Sequence, residues 1–443
     1  MAPSAEPDAA PAEAPGARAE AAFQEDVRAN LPRNFGAHLA HGLLGMTGFR
    51  LIQAPTFIPQ YVFLLSGSEL VVGLARALQG LGHAVTPLFA ATLIEHRRRV
   101  LPLGFWVGGL MRAQVLGIAL AGFFLPSPWN LIATCFFLGC FGLFLGMQGV
   151  LFNFLMSKVI PVELRGRLNG VRNFLAGLTA ASVAWVGGYL IERDALGNGY
   201  ASTFLLAFVL TALGLGMLVL LREPRSPAVR ERGGFVDRLR ELPALMRADR
   251  AFTHYFVARS LATLGHMAMP YYVLFAGTQL ALGGAELTGR SLGVLTRDFL
   301  LAQMLFNLVW GLLADRRGFR AVLVLALLVW VLSVLILMHT QTQGSLQLVF
   351  IGLGAGTGGF MMGAQNLALE FGRREDLPMR IAVANTTSQL MLAIGPLIGG
   401  LLVTLASYEV LFYVAIAFQL ASLALLVLLV EEPRRRSRRE RVA

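Results

Sequence analysis

Twelve stretches of predominantly apolar residues follow one another along this chain, each closed by a gap that carries charge, glycine or proline. They lie near 36–63, 69–94, 101–124, 130–157, 167–191, 200–222, 252–280, 290–314, 320–339, 346–371, 379–405 and 408–430. A bilayer's hydrocarbon core is crossed by about 20 residues of helix. Backbone N–H and C=O groups facing lipid must be bonded within the segment itself, which leaves helices as the structure for spans of this length. The pattern therefore predicts an all-α polytopic membrane protein with twelve transmembrane helices. A hydrophobic content of 56% against 14% charged residues agrees, because a soluble chain of 443 residues could not bury so much apolar surface. The first stretch is long for one crossing and is expected to tilt or kink at Pro55 and Pro59.

The cations are sorted by position. Of 37 basic residues, only Lys158 is a lysine, and 29 of the 37 fall in the two tails or in every second gap. Those gaps hold Arg97, Arg98 and Arg99; Lys158, Arg165 and Arg167; eight arginines between 222 and 250; Arg316, Arg317 and Arg320; and Arg373, Arg374 and Arg380. The alternate gaps hold Arg193 and Arg290 only. Short basic loops stay on the cytoplasmic side, so both termini are expected there, which requires an even number of spans. The expected location is the cell membrane, a bacterial inner membrane. The net charge of +11 is thus an orientation device rather than a nucleic-acid surface.

Residues 1–34, rich in Ala, Pro and Glu, read as a disordered cytoplasmic tail without the layout of a signal peptide. Cys135 and Cys140 sit five apart in the fourth stretch and point to different helix faces, so no disulfide or metal pair is expected. His38 and His41 at the mouth of the first stretch have no cysteine or carboxylate nearby, which favours packing over metal ligation.

The longest internal gap, 223–250, mixes both charges and contains Pro224, Pro227 and Pro243. It divides the chain into an N-terminal six-helix bundle, 35–222, and a C-terminal one, 251–430, with a basic tail at 431–443. The two bundles repeat one pattern: Gly146, Gln148, Pro161, Arg167, Asn173, Gly187 and Gly188 recur as Gly363, Gln365, Pro378, Arg380, Asn385, Gly399 and Gly400. Glu223-Pro224-Arg225 recurs as Glu432-Pro433-Arg434.

Parallel six-span repeats joined by a charged linker, with both termini inside, resemble the major facilitator superfamily of secondary transporters. Gly311, Asp315, Arg316, Arg317, Gly318 and Arg320 are similar to that family's loop signature between the eighth and ninth spans. The counterpart after the second span is degenerate, with Ala91 for the leading glycine and Glu95 for the aspartate. Gly395, Pro396, Gly399 and Gly400 resemble the family's glycine-proline signature but lie in the eleventh span, where they suit helix packing or gating. The fourth span lacks the family's mid-helix arginine.

Pseudo-symmetry and the attraction of a helix-end carboxylate for a facing arginine suggest two latches across the halves, Asp315 with Arg167 and Glu95 with Arg380. They would close the cytoplasmic side when the cavity faces outward; the plain alternative is that the loop arginines only orient the chain. The resemblance also implies that the first, fourth, seventh and tenth helices line a central cavity. Arg50 and Arg259 are then the first substrate-binding candidates, and Gln148, Asn153, Gln365 and Asn366 supply neutral hydrogen bonds.

Charges inside spans are costly and face protein or water. Arg50, Arg76, Arg112, Arg172, Arg259 and Arg297 outnumber the anions, which are Asp298 and, near a helix end, Glu370. Unpaired guanidinium groups favour an anionic or carboxylate-bearing substrate; an arginine near a helix end can instead snorkel or bond a backbone carbonyl. Two roles fit Asp298, proton coupling or neutralising an arginine of an adjacent helix. Its neighbour Arg297 points about 100° away and need not pair with it.

Gly354, Gly356 and Gly359 satisfy a dinucleotide fingerprint literally but lie inside an apolar span, where they serve packing or bending. There is no catalytic grouping and no phosphate-cradling lysine loop, so no enzyme activity, no metal and no cofactor are expected. The expected function is secondary active transport of a small molecule by alternating access, with H+ as a candidate coupling ion and a monomer in the lipid bilayer as the working unit. A multidrug or metabolite efflux antiporter of the same superfamily, and a non-transporting sensor or scaffold, are the alternatives.

Overall fold

A computed structural model of the chain describes residues 15–94, 97–225, 249–371 and 377–430. The described residues form helices and connecting turns. The first span is built of Leu31–Gln53 and Phe57–Ser66, the second is Glu69–Ile94, the third Leu101–Phe124 and the fourth Trp129–Val159. The fifth is Val162–Glu192, and the sixth is Gly199–Met217 with a 3-10 turn at Leu218–Leu220. The seventh consists of Arg250–Gly265, a 3-10 stretch His266–Tyr271 and Tyr272–Leu282. The eighth is Gly289–Arg317, the ninth Phe319–Leu337, the tenth Gln343–Leu369, the eleventh Leu377–Leu405 and the twelfth Tyr408–Leu428.

The expected bend of the first span is a break at Ala54, Pro55 and Thr56. Pro55 has no N–H to continue the ladder, and Pro59 needs none because it lies in the first turn of the second piece. Arg76 of the second span fills the gap: its Nη2 donates to the Ala54 carbonyl at 2.8 Å, and its Nη1 donates to Gln79 Oε1 at 2.8 Å. The seventh span, expected as one helix, is interrupted around Pro270 at the corresponding depth. Part of the tail expected to be disordered is also helical. Pro15–Ala29 forms a helix whose Val27 is buried, and Phe23 and Val27 border a cleft with Ile160 and Pro161.

The packing within each half follows one scheme. In the first half the first span packs on the fifth and sixth, the second on the fourth, and the third on the fourth and sixth. In the second half the seventh packs on the eleventh and twelfth, the eighth on the tenth, and the ninth on the tenth and twelfth. Each pairing is the other moved on by six spans. The halves meet through the second with the eleventh and the fifth with the eighth, two pairings that exchange under the same operation.

Among the described residues, the close contacts across this interface gather toward the face opposite the arginine-rich loops, here called the distal face. A Cβ at Gly188 would lie 2.6 Å from both the Gly289 carbonyl oxygen and the Gly293 Cα, and one at Gly177 would meet Met304 at 2.8 Å. Gly80 abuts Ala393, and Gly400 abuts Leu70. Thr296 Oγ1 donates to Thr56 Oγ1 at 2.7 Å, Tyr408 donates to Glu69 Oε1 at 2.9 Å, and the Arg290 N–H donates to Glu192 Oε2 at 2.9 Å. Toward the basic face the fifth and eighth spans part: Gly166, Gly170 and Gly311 have no side-on neighbour within 4 Å.

The apolar core divides the same way. One continuous cluster joins Leu51, Phe57 and Phe141 of the first half to Tyr272, Phe275, Trp330 and Phe412 of the second. Toward the basic face each half has a core of its own, around Leu151, Leu155 and Leu215 in one and Phe252, Tyr255 and Leu367 in the other. Among the described residues the two halves therefore form a wedge, sealed at the distal face and parted toward the basic face between the fifth and eighth spans.

Candidate substrate cavity and gates

The arginines inside the spans have different fates, set by what each can reach. Arg76 is consumed by the break in the first span. Arg112 in the third span donates from Nε to the Thr211 carbonyl at 2.6 Å and from Nη1 to the Gly108 carbonyl at 2.7 Å, with its guanidinium carbon 5.0 Å from the centre of the Phe49 ring. A helix carbonyl has two lone pairs, so that of Thr211 can accept from the arginine beside its own helical bond.

Arg172 in the fifth span crosses the first span at Gly42, a position where any Cβ would collide with its stem. Its guanidinium lies 4.6 Å from the Phe152 ring centre, and its Nε and Nη1 are buried without a partner. Arg50 is half-buried, and its side chain has no hydrogen-bonding or ion-pairing partner among the described residues. Arg259 in the seventh span donates from Nη2 to Asn385 Oδ1 at 2.9 Å and from Nη1 to the Ala364 carbonyl at 3.3 Å. It thereby ties the seventh span to the tenth and eleventh.

The neutral candidates are spread over both halves. Gln148 is buried with its Oε1 unpartnered, Asn153 and Gln365 are exposed, and Asn366 bonds back to the Met362 carbonyl of its own helix at 2.8 Å.

Asp298 is buried and fully engaged. Its Oδ1 accepts from Arg297 Nε at 2.9 Å and from Nη2 of the same group at 2.8 Å, and its Oδ2 accepts from Gln347 Nε2 of the tenth span at 3.0 Å. The expectation that Arg297 and Asp298 need not pair is corrected here. Their Cβ atoms diverge, but the three-carbon stem of an arginine is long enough to wrap back along the helix surface.

The basic-face loops carry a second set of contacts. Gly318 takes φ 85° at the turn between the eighth and ninth spans, a conformation open to glycine at little cost. Arg320 donates to the Leu426 and Val427 carbonyls at 2.8 and 2.7 Å, capping the end of the twelfth span. Asp315, Arg316, Arg317 and Arg167 are exposed, and no ion pair joins Asp315 to Arg167 among the described residues. A Cβ at Gly311 would meet nothing within 4 Å in this conformation. Glu95 and the Arg380 side chain lie outside the described residues.

Gly395 and Gly399 pack on Met267 and Tyr271 of the seventh span's 3-10 stretch, and Tyr271 donates its hydroxyl to the Pro396 carbonyl at 2.5 Å. Glu223, read as the start of the linker, is instead buried in the first half. Its carboxylate accepts from Lys158 Nζ at 2.6 Å and from the Val100 and Leu101 N–H groups, each at 2.8 Å.

Two six-span halves related by a six-span shift, joined through the second with the eleventh span and the fifth with the eighth, are the architecture of a multi-pass membrane protein. A model of the Major Facilitator Superfamily matches residues 40–297 and 285–443, and the chain belongs to that family. No curated protein matches the chain.

Solved structures share the fold at low identity. A mutant of the nucleoside transporter NupG aligns with a TM-score of 0.72 at 11% identity, over 88% of this chain and 99% of that one. A D-xylose-proton symporter aligns at 0.68 and 13% identity, over 91% and 98%. A POT family transporter in complex with 5-aminolevulinic acid aligns at 0.66 and 12% identity, over 91% and 96%.

Proposed function

We propose that the protein is a secondary active transporter that carries a small anionic molecule across the cell membrane by alternating access, and that the conformation described is its inward-open state. The observation that carries this reading is the one-sided contact between the halves. If the arginine-rich loops are cytoplasmic, as their charge demands, the wedge opens to the cytoplasm. Rocking the halves about the distal contacts would close it and part the distal seam. In the closed form Asp315 and Arg167 come within reach of each other, which is where the latch acts.

The anion preference rests on Arg50 and Arg259, on the first and seventh spans, whose charges meet no carboxylate among the described residues. Asp298 already receives three hydrogen bonds, so its role is to neutralise Arg297 and to hold the eighth span to the tenth rather than to shuttle protons. Asp298→Asn is expected to keep pH-gradient-driven accumulation while lowering thermal stability; loss of accumulation alone, at unchanged stability, would make Asp298 the proton carrier.

The function is tested in proteoliposomes. Purified protein is screened for thermal stabilisation by metabolites, since a ligand bound only by the folded state raises the unfolding temperature, and the stabilising compounds are then assayed for counterflow. Counterflow of carboxylates or phosphorylated compounds is the expected result. A hit set made only of neutral or cationic molecules overturns the anion preference, and binding without counterflow indicates a sensor.

A further inference from the structure

The first half contains a polar cluster that no gate or helix break explains. Phe152 of the fourth span is its centre: the His41 ring stacks on it with centroids 5.2 Å apart, the His38 ring meets it edge-on at 5.3 Å, and the Arg172 guanidinium covers it at 4.6 Å. Arg112 and Gln148 adjoin. Arg112 Nη2 and His41 Nε2 lie 3.6 and 3.4 Å from one point beside Gly45, and Arg112 Nη1 and Gln148 Nε2 lie 3.0 and 3.3 Å from a point beside Gly108. The cluster thus spans the first, third, fourth and fifth spans within one half.

Its charge is one-sided. Nη2 of Arg112 and Nε and Nη1 of Arg172 are buried donors without a hydrogen-bond partner, both ring nitrogens of His38 and of His41, of which at least one in each ring is a donor, are likewise unpartnered, and Oε1 of Gln148 is an unmet acceptor. No carboxylate is hydrogen-bonded or ion-paired to any of them among the described residues. Each such donor left unpaired costs about 1–3 kcal/mol, and more when charged, and buried polar groups in folded proteins are almost all satisfied. A concentration of unmet donors, three of them on the two guanidinium groups, is what an oxyanion completes: its lone pairs accept several N–H bonds, and its charge offsets the arginines.

We propose that Arg172, Arg112, His41, His38 and Gln148 form an oxyanion site inside the first six-span half, separate from Arg259, and that this first-half site takes the carboxylate or phosphoryl group of the transported substrate. Phe152 holds the three cationic or imidazole side chains in place, and Gly42 provides the notch through which Arg172 reaches them. The site deepens the anionic-transporter reading and rests on it. An anion bound here fastens to one half alone, so it can stay bound while the other half rocks past it.

Inorganic phosphate and acetate are titrated separately into the purified full-length protein in detergent, with ionic strength held constant by sodium chloride, and the unfolding temperature is recorded. A saturable rise is expected with one or both, and which of them gives it distinguishes a phosphoryl from a carboxylate group. Arg172→Gln and His41→Gln are each expected to weaken that apparent affinity by about ten- to a hundredfold, whereas Arg193→Gln on the distal surface leaves it unchanged. If Arg172→Gln does not fold, Gly42→Ala, which displaces the Arg172 side chain, is read instead.

The proposal is overturned if neither anion exceeds the effect of chloride, or if Arg172→Gln and His41→Gln bind as the natural protein does. Should Arg259→Gln alone abolish the effect, the site belongs to the second half and the transporter reading stands without it. If phosphate or acetate binds as expected but no anion shows counterflow in proteoliposomes, the site stands and the anionic-transport reading fails.

Discussion

Arginine side chains inside the spans, identical in the sequence, are divided by which acceptors each can reach. Arg76 found carbonyls released by Pro55, Arg112 found those of Thr211 and Gly108, and Arg297 found the next residue in its own helix. Position along the chain showed that these charges were inside; it did not show which were spent on backbone. Lys158 illustrates the same limit. It reads as one more loop cation, yet it forms a buried pair with Glu223 that also binds two N–H groups at the start of the third span. Glu223→Gln leaves the ammonium buried without its counter-charge and is expected to cost about 3–5 kcal/mol, seen as a large fall in unfolding temperature. Replacing both residues with methionine is expected to restore much of the loss, because the isolated charge goes with its partner.

At the scale of the element, the lengths and order of the spans follow from hydrophobicity, since lipid leaves the backbone no alternative to helix. Where a helix breaks was only partly legible. Pro55 marked the first break, but the seventh span is interrupted over His266–Tyr271 by a proline that sequence spacing alone treats as tolerable. The interrupted stretch is held in place by side chains: His266 Nδ1 lies 2.7 Å from the Ala262 carbonyl oxygen of the preceding helix, and Tyr271 ties the stretch to the eleventh span by bonding the Pro396 carbonyl. Tyr271→Phe removes one such bond and is expected to cost about 0.5–1.5 kcal/mol, with faster hydrogen exchange localised to 266–271 as the measurement that separates it from a global loss. Arg76→Met should act similarly on the first span, loosening 52–56 while the rest of the half keeps its protection.

For the whole molecule, the question is which seam is closed. Gly188 allows the fifth span to touch Gly289 and Gly293 of the eighth, so a leucine there forces the distal seam apart. In a background with Cys135 and Cys140 replaced by alanine, Gly188→Leu is expected to reduce labelling of a cysteine at position 170 by an impermeant reagent from the basic side. Cysteines replacing Arg167 and Asp315 are expected to cross-link poorly in the natural background and well with Gly188→Leu. Equal cross-linking in both would dissociate the latch from the rocking motion.

By itself the sequence determined the membrane, the twelve crossings, the repeat of six and the face that carries the cations, because each is dictated by hydrophobicity and charge read along the chain. The tertiary structure decided which side of the wedge is sealed, which arginines are already satisfied, and that His38, His41, Arg112, Gln148 and Arg172 gather around Phe152. These depend on distances between residues far apart in the chain. A local pattern carries no record of which helix faces meet, and therefore of which charges are left without a partner.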